Sequence, residues 1–201
     1  MGKLFANAML AQRISSINAM SQLCEEVGGS TSDLAKVVGA DKRIGPAFLC
    51  AGPGFGGSCF EKDLLSLVYI LESNGQPEQA AYWSQVLQMN EHQKKRLAIK
   101  VATPFADPKT TEIAVFGYAF KKDTSDTRAT PTALIINYLL DQGFTVKVHD
   151  PQVNERNFQV EMEVQGFNIA ERPNCQFVGD DFTKAVTNSS AIVICTEWDE
   201  Y

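Results

Sequence analysis

Cys59 and Asp63, four residues apart, carry the clearest chemical signal in the chain. They follow the run Gly52-Pro53-Gly54-Phe55-Gly56-Gly57-Ser58, a glycine-rich loop that ends where a helix is expected to begin. A thiol at a helix N-terminus lies at the positive end of the macrodipole, which favours the thiolate and so makes a better nucleophile. Residues four apart on a helix share a face, so a carboxylate able to handle water stands one turn from the group that attacks carbon. The pairing fits acyl chemistry.

The same loop matches the dinucleotide spacing G-x-G-x-x-G at Gly52, Gly54 and Gly57. That turn works only within a βαβ unit, with an acidic residue about 20 positions further on. Here a second helical stretch follows and Pro53 interrupts the motif, so the context fails. A different anion site is expected in the C-terminal half, where Lys121, Lys122 and then Arg128 follow Gly117 at the carboxyl end of an expected strand. Ligands bind at that end of α/β sheets. With little glycine there for backbone to approach pyrophosphate, cationic side chains replace amides as a phosphate cradle. A merely solvated turn would have the same composition.

These residues need elements to hold them. Apolar positions at Leu10, Ile14, Ile17, Cys24 and Val27 predict a helix over residues 3–27, ended by Gly28-Gly29. Ser30-Thr31-Ser32 can cap a short helix over 33–38 that Gly39 stops. A loop over 41–58 leads to the Cys59 helix, which runs to Ser73-Asn74-Gly75; another helix spans 78 to about 101, ended by Pro104. The second half changes period. Strands are expected at 111–116, 144–149, 176–178 and 191–195, with a helix opened by Thr130-Pro131 and running to about Asp141. The fold class is therefore α/β: a helical domain over 3–107, then a parallel-sheet domain over 108–201, with the boundary near Asp107-Pro108.

At 201 residues the chain has ample core, and 44% hydrophobic with 21% charged residues is ordinary for a globular protein. A net charge of -6 speaks against nucleic-acid binding, and no apolar run approaches the roughly 20 residues that span a bilayer. Cys24, Cys50, Cys59, Cys175 and Cys195 are odd in number and irregular in spacing, which favours reduced thiols in a cytoplasmic protein over disulfides or a zinc site. His92 and His149 leave little for metal chemistry, so no metal is expected. Met1-Gly2 abuts what reads as the middle of a helix, and Tyr201 lies just past a strand; both ends predict a piece of a longer protein.

Several runs together resemble the UDP-glucose 6-dehydrogenases: Lys3 to Asn7, Gln12 to Asn18, Arg43 to Gly45, Gly54 to Asp63, Phe120 to Arg128, and Cys195 to Asp199. The resemblance covers the central helical and C-terminal nucleotide-binding portions in order, and implies a dimerisation domain followed by a Rossmann-like UDP-binding domain. It implies oxidation of UDP-glucose to UDP-glucuronate with two NAD, through a cysteine thiohemiacetal and thioester. On this sequence Cys59 is then the nucleophile, Lys3 and Asn7 stabilise charge on the C6 oxygen, and Asp63 positions or deprotonates water. Phe48, the loop backbone at Gly52, Phe55 and Gly56, and Phe120 with Lys121 contact the UDP-sugar. Arg43 reaches the substrate of a neighbouring subunit in a homodimer or higher homo-oligomer, and Arg128 reaches toward NAD.

The family's N-terminal NAD-binding domain, with its acid-base glutamate, and a C-terminal tail with a substrate-gripping arginine have no counterpart here, so the chain alone is expected not to turn over. Cys50 stands where relatives often carry a polar residue. Two other readings stay open: a sister dehydrogenase of GDP-mannose or a UDP-N-acetylhexosamine, and a dimerisation and UDP-sugar-binding module without hydride chemistry.

Overall fold

The computed structural model describes residues 1–179 and 181–201 and divides into two compact units, Met1–Gln93 and Lys94–Tyr201. The first contains α1 (Gly2–Glu26), α2 (Thr31–Ala40), α3 (Phe60–Ser73) and most of α4 (Pro77–Ala102). Its core joins Ala8 and Ala11 of α1 with Leu64 and Leu67 of α3, Trp83 and Val86 of α4, and Phe55 from the glycine loop.

The expected stripe on α1 needs correction. Val27 lies beyond the helix and is 71% exposed, while the buried face is Ala8, Ala11, Ser15, Ile17, Asn18 and Ser21. Ile17 is buried and Ile14 packs on the core as expected, but the rest of the face is small or polar. Ser15 and Asn18 bond to the backbone of Val86 and Gly52, so counting large apolar side chains found only part of it. Ser30 caps α2 as expected, its Oγ accepting from the Asp33 N–H at 3.2 Å. Gly39, however, does not stop α2, which continues to Ala40. Glycine is needed there for closeness instead: a Cβ would stand 2.8 Å from Pro46 Cα.

The second unit holds a parallel sheet in the order β3-β2-β1-β4 among the described residues, with β1 at Glu112–Phe116, β2 at Thr145–His149, β3 at Cys175–Phe177 and β4 at Ala191–Ile194. Both faces of β1 are covered. Ile113 and Val115 enter one core with Ile136, Leu139, Phe144 and Phe158, whereas Ala114 and Phe116 pack with Val178 and Ala185. Such two-sided burial is why β1 reads as a nearly continuous apolar run. The last turns of α4 join this unit through Ala98, with Leu97 and Val101 against the same core.

Helix α5 (Pro131–Gln142) starts as its sequence predicts, Thr130 capping and proline in the first turn, and ends at Gly143 in the left-handed conformation. Two helices were not anticipated, α6 (Glu155–Val164) and the short α7 (Thr183–Val186). The buried positions of α6 are Phe158, Glu161 and Met162. A glutamate on the inner face broke the apolar period. Its Oε1 accepts the Ala129 N–H and the Gln165 side-chain amide, both at 2.8 Å, so the buried charge is bonded to the start of α5's cap.

Candidate active site

In the first unit, the glycine loop presents Cys59 as the N-cap residue of α3. Its side chain caps nothing and is exposed, with Ser58 Oγ 3.8 Å from the sulfur. Its carbonyl accepts the Asp63 N–H at 2.9 Å, which fixes the first helical turn and puts Asp63 on the same face. Asp63 is only 9% exposed. Asn7 of α1 reaches it, Nδ2 donating to Asp63 Oδ2 at 2.6 Å, while Lys62 Nζ lies 4.0 Å from the other oxygen, Oδ1. Two residues 56 positions apart thus become one hydrogen-bonded pair beside the thiol-bearing turn. Lys3 stands one turn before Asn7 on α1, exposed.

The loop is tied from inside. Gly52 N–H donates to Asn18 Oδ1 at 2.9 Å and its carbonyl accepts Gln93 Nε2 at 2.9 Å. Phe55 N–H donates to Asn90 Oδ1 at 2.8 Å, and Asn90 Nδ2 returns a bond to the Phe55 carbonyl at 3.0 Å. The Phe55 ring is buried, with the Phe60 ring edge-on at 5.9 Å. Both backbone groups of Phe55 are therefore spent internally, and Gly56 is buried beside it. Asn18 Nδ2 is buried and has no hydrogen-bond partner among the described residues. None of Asn18, Asn90 and Gln93 was singled out by residue type; three amides on helices look like solvated positions until the loop is seen against them.

Further up the loop, Phe48 adopts φ 61°, which a bulky residue rarely does, with its exposed ring 6.3 Å from that of Phe60. Arg13 of α1 grips the preceding turn, donating to the carbonyls of Ile44, Gly45 and Ala47 at 2.6–2.9 Å. Arg43 points to solvent and holds Asp41 in a fork, Nε at 3.0 Å and Nη2 at 2.5 Å. That fork holds the Asp41 carboxyl below its usual range.

In the second unit, the turn after β1 converges on Asp150, the residue following β2. Asp150 Oδ2 accepts the N–H groups of Tyr118 at 2.7 Å and Ala119 at 2.8 Å and the Trp198 indole N–H at 3.2 Å, and Oδ1 accepts those of Gln152 at 2.9 Å and Val153 at 3.0 Å. Gly117, at φ +87°, passes so close to Thr196 that a Cβ would lie 2.5 Å from its backbone nitrogen. Beyond this anchor Lys121 is exposed, its Nζ 5.8 Å from the centre of the half-buried Phe120 ring. Lys122 pairs with Asp199 at 2.9 Å. Arg128 forks onto Asp126 at 2.9 and 2.7 Å, repeating the aspartate-x-arginine geometry of Asp41 and Arg43, and lowering the Asp126 pKa chiefly through that bond. Of the three cations expected to cradle phosphate, two carry carboxylate partners, and Lys121 extends from the turn over an aromatic ring.

Neither glycine motif fits a dinucleotide. The loop before Cys59 is enclosed by helices, with no strand among the described residues of its unit, and the turn after β1 has a single glycine and an acidic neighbour turned inward.

Comparison with known proteins accounts for both halves. The central-domain model of the UDP-glucose/GDP-mannose dehydrogenase family matches residues 1–92, and that family's UDP-binding-domain model matches residues 114–201. UDP-glucose 6-dehydrogenase 2 of Arabidopsis thaliana is 44% identical over 212 residues, covering 100% of this chain and 44% of that protein. The UDP-glucose 6-dehydrogenase of Drosophila melanogaster is 45% identical over 207 residues, covering 100% and 43%. Among solved structures, a UDP-glucose dehydrogenase from Pyrobaculum islandicum superposes with a TM-score of 0.83 at 32% identity, over 99% of this chain and 43% of that one. The chain spans less than half the length of these relatives.

Proposed function

This chain belongs to the UDP-glucose/GDP-mannose dehydrogenase family, and from that premise we propose that it is the thiol-bearing and UDP-binding part of an NAD-dependent UDP-glucose 6-dehydrogenase. The observation that carries the reading is the 2.6 Å hydrogen bond from Asn7 to Asp63, one helical turn from the exposed Cys59. A binding module needs no nucleophile; this arrangement supplies one, with an oriented carboxylate beside it.

In the proposed reaction UDP-glucose, two NAD and water give UDP-glucuronate and two NADH. The nicotinamide supplies the hydride acceptor. Of this chain's residues, Arg128 reaches toward that cofactor. Cys59 Sγ attacks the C6 aldehyde carbon to give a thiohemiacetal, and the oxidised product of that adduct is a thioester. Asp63 takes a proton from the water that cleaves the thioester and releases Cys59. Asn7 holds Asp63 Oδ2, and Oδ1, with Lys62 Nζ 4.0 Å away, takes the proton. Asn7's second amide hydrogen and the Lys3 ammonium stabilise negative charge on the C6 oxygen. Phe48, the loop backbone around Gly52 and Gly56, Phe120 and Lys121 contact the UDP-sugar, while Phe55 contributes by anchoring the loop. Arg43 serves a neighbouring subunit's substrate and Arg128 the NAD, each released from its aspartate by a competing phosphate.

The partner is a second copy of the protein, met along α1, whose surface exposes Phe5, Met9, Met20 and Leu23. The location is the cytoplasm; the five cysteines are unpaired, and no helix among the described residues is long and apolar enough to cross a membrane.

The test is stoichiometry in the full-length protein that carries this chain. Two NADH per UDP-glucose are expected, with turnover falling about a thousandfold or more in Cys59→Ser. One NADH per sugar, or a serine variant that keeps its rate, refutes the thioester route.

A further inference from the structure

The glycine loop is soft by composition and rigid by attachment. Gly54 at φ +130° and Gly57 at φ +83° occupy conformations that side-chain-bearing residues avoid, and glycine itself is permissive, so these positions follow what holds the loop. Three amides on two helices hold its backbone by hydrogen bonds. Asn90 treats Phe55 as a neighbouring strand would, accepting its N–H at 2.8 Å and donating to its carbonyl at 3.0 Å. At Gly52 the same two tasks are divided, Asn18 accepting and Gln93 donating, both at 2.9 Å. All three side chains are buried, with 1%, 4% and 5% of Asn18, Asn90 and Gln93 exposed.

An amide suits this pairing. It offers an acceptor and a donor at one planar end. A carboxylate would meet the Phe55 carbonyl with a second acceptor, and an apolar residue would leave buried backbone groups unpaired. The ties fall at Gly52 and Phe55, just upstream of the residues that hand the chain to Cys59.

We infer that Asn18, Asn90 and Gln93 are positioning residues, which set the loop so that Cys59 Sγ is presented at the start of α3 for attack. The inference rests on the reading of Cys59 as nucleophile. These amides touch no reacting atom; they act through the backbone.

The experiment compares alkylation by iodoacetamide at Cys59 and Cys50 in the 201-residue chain, read peptide by peptide by mass spectrometry. Both thiols are exposed, and Cys50 lies upstream of the ties, so it reports general accessibility. In the unmodified chain Cys59 reacts faster. Asn90→Asp keeps the shape and one acceptor but repels the Phe55 carbonyl, and it lowers the Cys59 to Cys50 rate ratio on the order of tenfold to a hundredfold. A merely structural role would loosen the loop and raise both rates together, leaving the ratio high. Should Asn90→Asp fail to fold, Gln93→Met removes the bond to the Gly52 carbonyl at the other end of the loop and carries the same expectation. A fast Cys59 whose ratio survives in the folded variants overturns the positioning role alone. A Cys59 no faster than Cys50 in the unmodified chain overturns the nucleophile reading beneath it.

Discussion

Cys175 and Cys195 differ from the two loop cysteines in everything but element. Burial pushes both thiols up to about 12, against a smaller opposing pull on Cys195 from the Thr132 hydroxyl. In an unfolded chain they ionise near 9.0. Above that value the unfolded state has lost protons that the folded state keeps, so stability falls as pH rises from 9 toward 12. Urea midpoints measured from neutral pH to about pH 10 should decline at the alkaline end, and Cys175→Val with Cys195→Ala should flatten that limb; an unchanged slope would contradict the assignment. At this scale the sequence was readable where the chemistry is local. Cys59 and Asp63 share a helical turn, so their spacing alone announces them. Asn7 is separated from Asp63 by 56 residues, and no pattern within either helix says that α1 lies against α3 there. The three amides behind the loop were hidden for the same reason. Polar residues on a helix imply solvent until a buried backbone is found in need of them.

Strands and caps were more legible than the helices between them. β1 is a short apolar run closed by glycine and buried on both faces, and β2 alternates valine with polar residues before it closes at Asp150. α6 escaped because its inner face carries Glu161, and α2 overran Gly39 because that glycine answers to a close neighbour rather than to a helix end. The exit of β1 passes closely against the residues after β4. Gly117 combines φ +87° with a Cβ position 2.4 Å from Thr196 Cβ, so no substitution fits without moving backbone. Gly117→Ala should cost more than about 3 kcal/mol in chemical denaturation and should weaken UDP binding in the same chain. A stable variant with unaltered affinity would mean that the β1 turn and the Thr196 segment are free to separate.

Each unit carries its own fluorophore, Trp83 in the helical core and Trp198 beside the sheet core, and these are the chain's two tryptophans. α4 contributes to both, Trp83 and Val86 to the first and Ala98 to the second. Ala98→Asp buries an unpaired charge in the sheet unit and should lower its stability by more than about 3 kcal/mol. Read in Trp83→Phe and Trp198→Phe backgrounds, the Trp198 transition should move to lower urea by clearly more than the Trp83 transition. Equal shifts would mean that the two units unfold as one cooperative body. The inward turn of Asp150 bears on which ligand the whole molecule admits to its sheet. At this position dinucleotide folds commonly aim an acidic side chain outward at a ribose hydroxyl. Here the same carboxylate is consumed by five N–H groups and has become a rivet. The scaffold keeps the address of a cofactor site while its lock has been welded shut, so Asp150 is not available to grip a ribose hydroxyl here.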